Sequence, residues 1–149
     1  MYQEGIFRSK WLSKFVNCLD TTGKTFKTEK IVYYAFFFFK KYFDIYSFFF
    51  FLETLEILRP FIGLKLIKLN NSKSNIQVCP ITLSITKQYK KAIYWLIKAI
   101  QLRKEVCLVS RIYIEIKSVV FKELTACVQK KKEYYNYAIM FKSMKKFKW

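Results

Sequence analysis

Apolar residues recur three and four positions apart along most of the chain, which is the spacing of one face of an α-helix. The first stripe predicts a helix over residues 9–19 whose apolar face is made by Trp11, Leu12, Phe15, Val16 and Leu19. Similar stripes over residues 31–39, 47–58 and 92–100 predict three more helices. Thr25 or Thr28 could cap the second helix, and Ser84 or Thr86 begins the fourth. Pro60 disfavours helical backbone at the residue before it, so we expect the third helix to end near Arg59.

The periodicity changes after Gly63. The segments GLKLIKL and IQVCPITLSI tend to alternate apolar and polar residues, and they flank the polar stretch NNSKSN. Alternation on both sides of a turn predicts a β-hairpin, here an arm over about residues 64–85. Pro80 has no N–H to donate, so we expect it at a sheet edge or a bulge.

The segment RIYIEIKSV fits two kinds of structure. Ile112, Ile114 and Ile116 alternate as in a strand, but Ile112 and Ile116 are also one helical turn apart, and periodicity does not decide between the two. A break near residues 122–124 precedes a last helix. This helix carries KKKE and ends in the basic, aromatic sequence FKSMKKFKW.

Two phenylalanine tracts lie within YYAFFFFKKYFDIYSFFFFL, where Lys40, Lys41 and Asp44 interrupt the apolar run. Each uninterrupted segment is about half of the roughly 20 residues that a membrane-spanning helix needs, so no membrane span is expected. We expect the phenylalanines to replace Leu, Ile and Val in a helical core. The rival interpretation is a basic amphipathic protein on an anionic membrane surface, with residues 36–39 and 48–51 inserted. An inserted face would keep its phenylalanines on one side of a helix, however, and four consecutive residues go around it.

The chain is strongly basic, with 28 Lys+Arg against 10 Asp+Glu and a formal net charge of +18. Such self-repulsion predicts a polyanionic partner, and the spread of lysines through the whole chain favours nucleic acid. The candidate nucleic-acid contacts are Lys10 and Lys14, Lys24 and Lys27 at the first connection, Lys87, Lys90 and Lys91, and Lys130, Lys131 and Lys132. Taken singly, each of these lysines fits a solvated surface charge equally well.

The residue types that enzymes and metal sites use are scarce. The chain has no histidine, and no C-x-x-C pair occurs among its four cysteines, Cys18, Cys79, Cys107 and Cys127. Isolated thiols are typical of small buried hydrophobes rather than zinc ligands. Glu53 and Glu56 are the nearest approach to a carboxylate pair, and no glycine-rich phosphate loop is present. We therefore expect no enzyme activity, no cofactor and no metal.

The composition also bears on the source of the chain. Phe, Ile, Lys, Tyr and Asn, which A- and T-rich codons specify, are abundant, whereas Gly and Pro number 3 and 2. This bias indicates an A/T-rich organellar genome. The first residues, MYQEGIFRSKW, lack a signal-peptide core and the arginine- and serine-rich pattern of a transit segment, so no import signal is expected.

Several short motifs carry a family resemblance when they are taken together. They are IFxSKxxxKFxN, Gly23-Lys24, EKIVYxA, Pro60, IQVxP, AIYWLIKA, RIYIEI, KKKE and the closing FKW. In this order and spacing they resemble the small-subunit ribosomal protein seven family, of bacterial and organellar type, over nearly the whole chain. The chain departs from the family where Asn70-Asn71 replace a glycine pair and where Tyr134, Tyr135 and Tyr137 replace polar residues.

The resemblance implies one rRNA-binding domain over residues 1–149. Its fold would be mainly α, a bundle of six helices that includes RIYIEI, with a projecting two-stranded β-hairpin arm between the third and fourth helices. It implies a structural role in the small ribosomal subunit: binding the 3′ major domain of the rRNA, contacting neighbouring head proteins and organising head assembly. The arm would lie near E-site tRNA and the mRNA exit through Lys65, Lys68, Asn70, Asn71 and Lys73. We expect a mitochondrial ribosome, with a plastid-type organelle as the alternative.

Overall fold

The computed structural model describes residues 9–21, 23–43, 47–68 and 76–143, and within these ranges the chain forms six helices and one hairpin. The helices are α1 (Lys10–Leu19), α2 (Thr25–Phe43), α3 (Ser47–Leu58), α4 (Ile85–Leu102), α5 (Leu108–Val120) and α6 (Ala126–Ser143). Strands β1 (Ile62–Lys68) and β2 (Ile76–Thr82) lie between α3 and α4. The predicted mainly α fold with a hairpin arm after the third helix is confirmed.

The buried apolar faces of the helices meet in a shared core. Helix α5 packs against α2, α3 and α4, and α1 packs across α2 and α4. The ambiguous segment RIYIEI is helical and belongs to α5, as the resemblance implied. Ile112 and Ile116 are both fully buried, whereas Ile114 between them is only half-buried. The burial therefore repeats every four residues, which is the helical period rather than that of a strand.

The phenylalanine tracts divide between the core and the surface. Phe36 and Phe39 are buried on α2, but Phe37, between them, is 53% exposed. On α3, Phe51 is fully buried and Phe49 is 59% exposed. The expectation that the tracts fill the core is therefore right for the buried members and wrong for the others, because four consecutive residues cover the whole circumference of a helix. A membrane-inserted face made of whole tracts is incompatible with this division.

No helix in the described part of the chain is both long enough and apolar enough to cross a membrane. The longest, α2, has 19 residues, but Lys27, Lys30, Lys40 and Lys41 interrupt its apolar side chains.

The hairpin arm is regular along its described length. Its strands pair antiparallel from Ile62 opposite Thr82 to Lys68 opposite Ile76, without a bulge. The arm thus begins two residues earlier than predicted, and Ile85 already belongs to α4. Asn70, Asn71 and Lys73 lie outside the described residues.

The base of the arm is attached to α6. The Leu64 N–H donates to Tyr134 Oη at 2.8 Å, and the Phe61 N–H donates to Tyr135 Oη at 3.0 Å. Pro80 is paired with Leu64. Because the Leu64 N–H points away from the partner strand, the missing N–H of Pro80 costs the ladder no hydrogen bond. The proline therefore occupies an edge position, one of its two predicted settings.

A buried polar network joins α4, α5 and α6. The carboxylate of Glu115, only 1% exposed, accepts from Arg103 Nη1 at 2.6 Å and from Cys127 Sγ at 3.0 Å. Thr125 Oγ1 lies 3.0 Å from the same thiol, and Arg103 also pairs with Glu105 at 3.2 Å. Burial and the contact with Glu115 raise the pKa of Cys127 to about 12. The thiol is therefore a protonated hydrogen-bond donor at neutral pH and not a nucleophile.

Candidate nucleic-acid interface

A groove of about 310 Å³ runs between α1 and α4. We call it the α1–α4 groove, and it is lined by Lys14, Cys18, Lys90, Ile93, Tyr94, Ile97, Lys98 and Gln101. The lining residues of each helix are three or four positions apart, so they share a face. Ile93 and Ile97, which are 1% and 6% exposed, contribute buried apolar side chains to the lining.

The remaining lining groups are suited to a polyanion. Three lysines from two helices face the same space, and no lining residue is acidic. Tyr94 is 58% exposed, and the Nζ of Lys98 lies 5.7 Å from its ring centroid. Ammonium groups neutralise phosphates, and an exposed ring offers a surface on which a base can stack. The groove therefore has the chemistry of a nucleic-acid contact.

The structure brings two of the predicted lysines, Lys14 and Lys90, into this groove. Lys10 lies one turn before Lys14 on α1, and Lys87 lies one turn before Lys90 on α4, so both extend the basic faces beyond the groove. Both side chains are exposed. Lys24 and Lys27 are also exposed, but they lie where the chain enters α2 and do not line the groove.

Two of the predicted lysines are half-buried and make contacts within the protein. Lys91 is half-buried, with its Nζ 3.5 Å from the ring centroid of Tyr134. Lys131 is half-buried and donates from Nζ to the carbonyl of Ile57, close to the C-terminus of α3. Burial, and then the charge of Arg59, lowers the pKa of Lys131 below its ordinary value. These contacts give both lysines a role in packing α6, because they stabilise its attachment to α3 and α4.

The other lysines of KKKE remain at the surface. Lys130 forms an exposed ion pair with Glu133 at 3.1 Å, and Lys132 is exposed. Three consecutive residues on a helix point in different directions. The KKKE motif is therefore not a single patch of three equivalent charges.

Of the predicted arm residues, only Lys65 has a described side chain, which is exposed. Lys68 ends β1. The tip residues Asn70, Asn71 and Lys73 lie outside the described ranges, so their expected proximity to tRNA and mRNA remains a prediction.

Aromatic and cationic side chains form a column at the base of the arm. Trp11 stacks on Tyr89 with centroids 4.5 Å apart, and Arg59 lies 5.7 Å from Tyr89 and 5.2 Å from Phe61. Arg59 is also paired with Glu56 at 2.8 Å, and the Tyr89 hydroxyl donates to the same glutamate. The hydrogen bond to Glu56, followed by burial, raises the pKa of Tyr89. The column joins α1, α3 and α4 where the arm begins.

Sequence reasoning did not select Tyr94, Lys98 or Gln101 as site residues. The repeat of Lys90, Tyr94 and Lys98 at intervals of four was the available signal. Across the described ranges, no group of three or more His, Cys, Asp or Glu residues could hold a metal ion.

Comparison with known proteins identifies the family. The sequence profile of the family "Ribosomal protein S7p/S5e" matches residues 1–141. The mitochondrial "Small ribosomal subunit protein uS7m" of Reclinomonas americana is 31% identical over 114 residues, which is 76% of this chain and 70% of that protein. The uS7 protein of Wigglesworthia glossinidia brevipalpis is 29% identical over 143 residues, 96% of this chain and 89% of that protein. The resemblance seen in the motifs is confirmed, and the chain belongs to the ribosomal protein S7p/S5e family.

Proposed function

We propose that this chain is a structural component of the small ribosomal subunit and binds small-subunit rRNA through the α1–α4 groove and the basic residues around it. The observation that carries the proposal is the convergence of Lys14, Lys90 and Lys98 from two helices in a member of this family. Ribosomal proteins of this family are a structural class, so no enzyme activity is proposed.

The proposed ligand is the 3′ major domain of the rRNA, and the proposed role is to organise the head of the subunit together with neighbouring head proteins. The net charge of +18 supports a ligand with many phosphates. The groove lies between two packed helices, and such a surface supports recognition of folded RNA by its shape. Outside the groove, the proposed contacts are Lys10, Lys24, Lys27, Lys87, Lys130 and Lys132, which are all exposed. Residues 1–149 are proposed to act as one rRNA-binding domain.

For the arm, we propose a position near E-site tRNA and the mRNA exit path. The hydrogen bonds from the arm backbone to Tyr134 and Tyr135 support a fixed direction for its base. Deletion of residues 70–75 is expected to leave assembly intact, because the helices form the buried core, and to alter reading-frame maintenance. A shortened chain that fails to enter small subunits would instead assign the arm to the rRNA anchor.

A mitochondrial ribosome is the proposed location. The A/T-type residue bias and the 31% identity to a mitochondrial relative support it, although a bacterial relative is 29% identical. A plastid-type organelle is the alternative.

Sedimentation of a tagged full-length chain in its own cell tests the proposed function. We expect the chain in the small-subunit fraction, with recovery of small-subunit rRNA after crosslinking. Disruption of the particles with a Mg²⁺ chelator should shift the chain to lighter fractions together with that rRNA. Sedimentation with membrane vesicles and without rRNA would contradict the proposal.

A further inference from the structure

The outer face of α2 has an unusual composition. Its exposed residues are aromatic or polar, and none of them is Leu, Ile, Val, Met or Ala. At roughly 100° per residue, six of the exposed side chains fall within one arc of about 120°. We call this set the α2 stripe, and its members are Phe26, Lys30, Tyr34, Phe37, Lys40 and Lys41.

The α2 stripe consists of three aromatic rings and three lysines. Phe26, Tyr34 and Phe37 are 66%, 57% and 53% exposed. The Nζ of Lys30 lies 4.5 Å from the ring centroid of Phe26, so cation and ring are in contact. At 1.5 Å per residue, the stripe from Phe26 to Lys41 is about 22 Å long. The arc contains no carboxylate, since Glu29, the one acidic residue of α2, lies outside it.

We propose that the α2 stripe is a further nucleic-acid site, separate from the α1–α4 groove, which binds unpaired RNA by stacking bases on its rings and pairing phosphates with its lysines. Every base has a π-face, so such a site tolerates different sequences. The α2 stripe shares no residue with the α1–α4 groove. The inference rests on the proposed function only for the class of ligand, because a ribosomal location supplies RNA.

The composition of the α2 stripe favours RNA over a protein partner. Lysine is depleted at the centres of protein interfaces, but three of the six residues of the stripe are lysines. An aliphatic surface is instead found near the end of α6, where Ile139 and Met140 are 64% and 54% exposed. A membrane-surface helix separates its basic residues from its apolar face, whereas the stripe mixes them.

The test compares two matched triple variants of the full-length chain. The first, Phe26→Ser, Tyr34→Ser and Phe37→Ser, removes the rings of the stripe. The second, Phe49→Ser, Phe121→Ser and Tyr137→Ser, removes two phenylalanines and one tyrosine with exposures of 59%, 53% and 54% elsewhere. Circular dichroism checks that both variants remain folded.

The probe is a fluorescent oligouridylate of about ten nucleotides, which matches the length that one such site covers. We expect the stripe variant to bind it at least about tenfold more weakly than the wild type, because each stacked base contributes several-fold in affinity. The salt dependence should be unchanged, since the lysines remain. The control variant should bind like the wild type. Equal losses of oligouridylate affinity in both variants, or no loss of affinity in the stripe variant, would overturn the proposal.

A measurement on the unmodified chain keeps the test independent of folding. An oligouridylate with 5-iodouridine is photocrosslinked to the wild-type chain, and the crosslinked peptides are mapped by mass spectrometry. We expect crosslinks on α2, and crosslinks confined to Tyr94 in the groove would overturn the proposal.

Binding to mixed phosphatidylglycerol–phosphatidylcholine vesicles tests the membrane alternative. Vesicle binding that depends on the stripe rings, without oligouridylate binding, would also overturn the proposal. Retention of rRNA binding in either case would leave the proposed function standing.

Discussion

Breaking the ion pair between Arg103 and Glu115 should cost far more stability than breaking an exposed pair in the same chain. Glu115 is 1% exposed and Arg103 is 22% exposed, with 2.6 Å between Nη1 and Oε2. The reference pair is Lys130 with Glu133, whose side chains are 60% and 55% exposed at 3.1 Å. The perturbation is a double-mutant cycle with alanine at each pair.

The expected magnitudes follow from burial. Removing one partner of a buried ion pair costs about 3–5 kcal/mol, because the other charge stays buried without compensation. Glu115→Ala should lie at the low end, about 3 kcal/mol, since Arg103 keeps its contact with Glu105. Arg103→Ala leaves the Glu115 carboxylate with the Cys127 thiol as its neighbour at 3.0 Å, so we expect about 4 kcal/mol.

The losses in unfolding free energy from the two single substitutions should not add. Once either partner is absent, removing the second also removes the uncompensated charge, so we expect a coupling energy of about 3 kcal/mol. For Lys130 and Glu133 the coupling should stay below about 0.5 kcal/mol, the value typical of exposed pairs on a helix.

Urea unfolding followed by far-ultraviolet circular dichroism measures both cycles. Urea is preferred to guanidinium chloride because it does not screen charge. A coupling energy below about 1 kcal/mol for Arg103 and Glu115, or equal values for the two pairs, would refute the reasoning that burial makes this pair costly to break.

Three further outcomes are expected. Tyr134→Phe leaves the N–H of Leu64 without its acceptor, so amide exchange at Leu64 should accelerate by about five- to thirtyfold while the helices stay protected. The pKa of Cys127 is raised from 9.0 to about 12, so as pH rises the thiol ionises in the unfolded chain before it does in the folded chain. The free energy of unfolding should therefore fall between about pH 9 and pH 12, and Cys127→Ala should make this fall shallower by about 1.4 kcal/mol per pH unit. At neutral pH a maleimide should label the exposed Cys18 and Cys107 in the folded chain, and a bound rRNA fragment should protect Cys18, which lines the groove.

A specific result would contradict each of these three predictions. Unchanged exchange at Leu64 would remove Tyr134 as the anchor of the arm. Parallel pH profiles for wild type and Cys127→Ala would show that the thiol does not couple to alkaline unfolding. Equal protection of Cys18 and Cys107 by rRNA would indicate general shielding instead of occupancy of the groove.

Most of the helical fold could be predicted because apolar spacing determines which side of each helix is buried. Leu12, Phe15 and Val16 follow that rule on α1, as do Ala92 and Leu96 on α4. The third helix also ends as Pro60 requires. These features depend on neighbours within one or two turns, and such neighbours are visible in the sequence.

Contacts between distant segments could not be predicted. In the sequence, Lys131 looks like one more surface charge. In the structure, it donates to the carbonyl oxygen of Ile57, 74 residues away. Tyr134 and Tyr135 stand out only as departures from the family, and their hydroxyls accept hydrogen bonds from residues 70 and 74 positions away. Helical spacing shows that Lys90 and Lys98 share a face of α4. The position of Lys14 opposite them, however, depends on how α1 packs against α4, which the spacing does not show.

The salt dependence of binding to a fragment of the rRNA 3′ major domain tests the claim that the α1–α4 groove is an rRNA contact most directly. The variant Lys14→Gln, Lys90→Gln and Lys98→Gln is compared with Lys104→Gln, Lys117→Gln and Lys122→Gln, which removes the same charge outside the groove. Each phosphate contact contributes about 0.7–0.9 to the slope of log affinity against log salt. We predict that the groove variant flattens the slope by about two units and that the control leaves it nearly unchanged; equal slopes in the two variants would contradict the assignment of the groove.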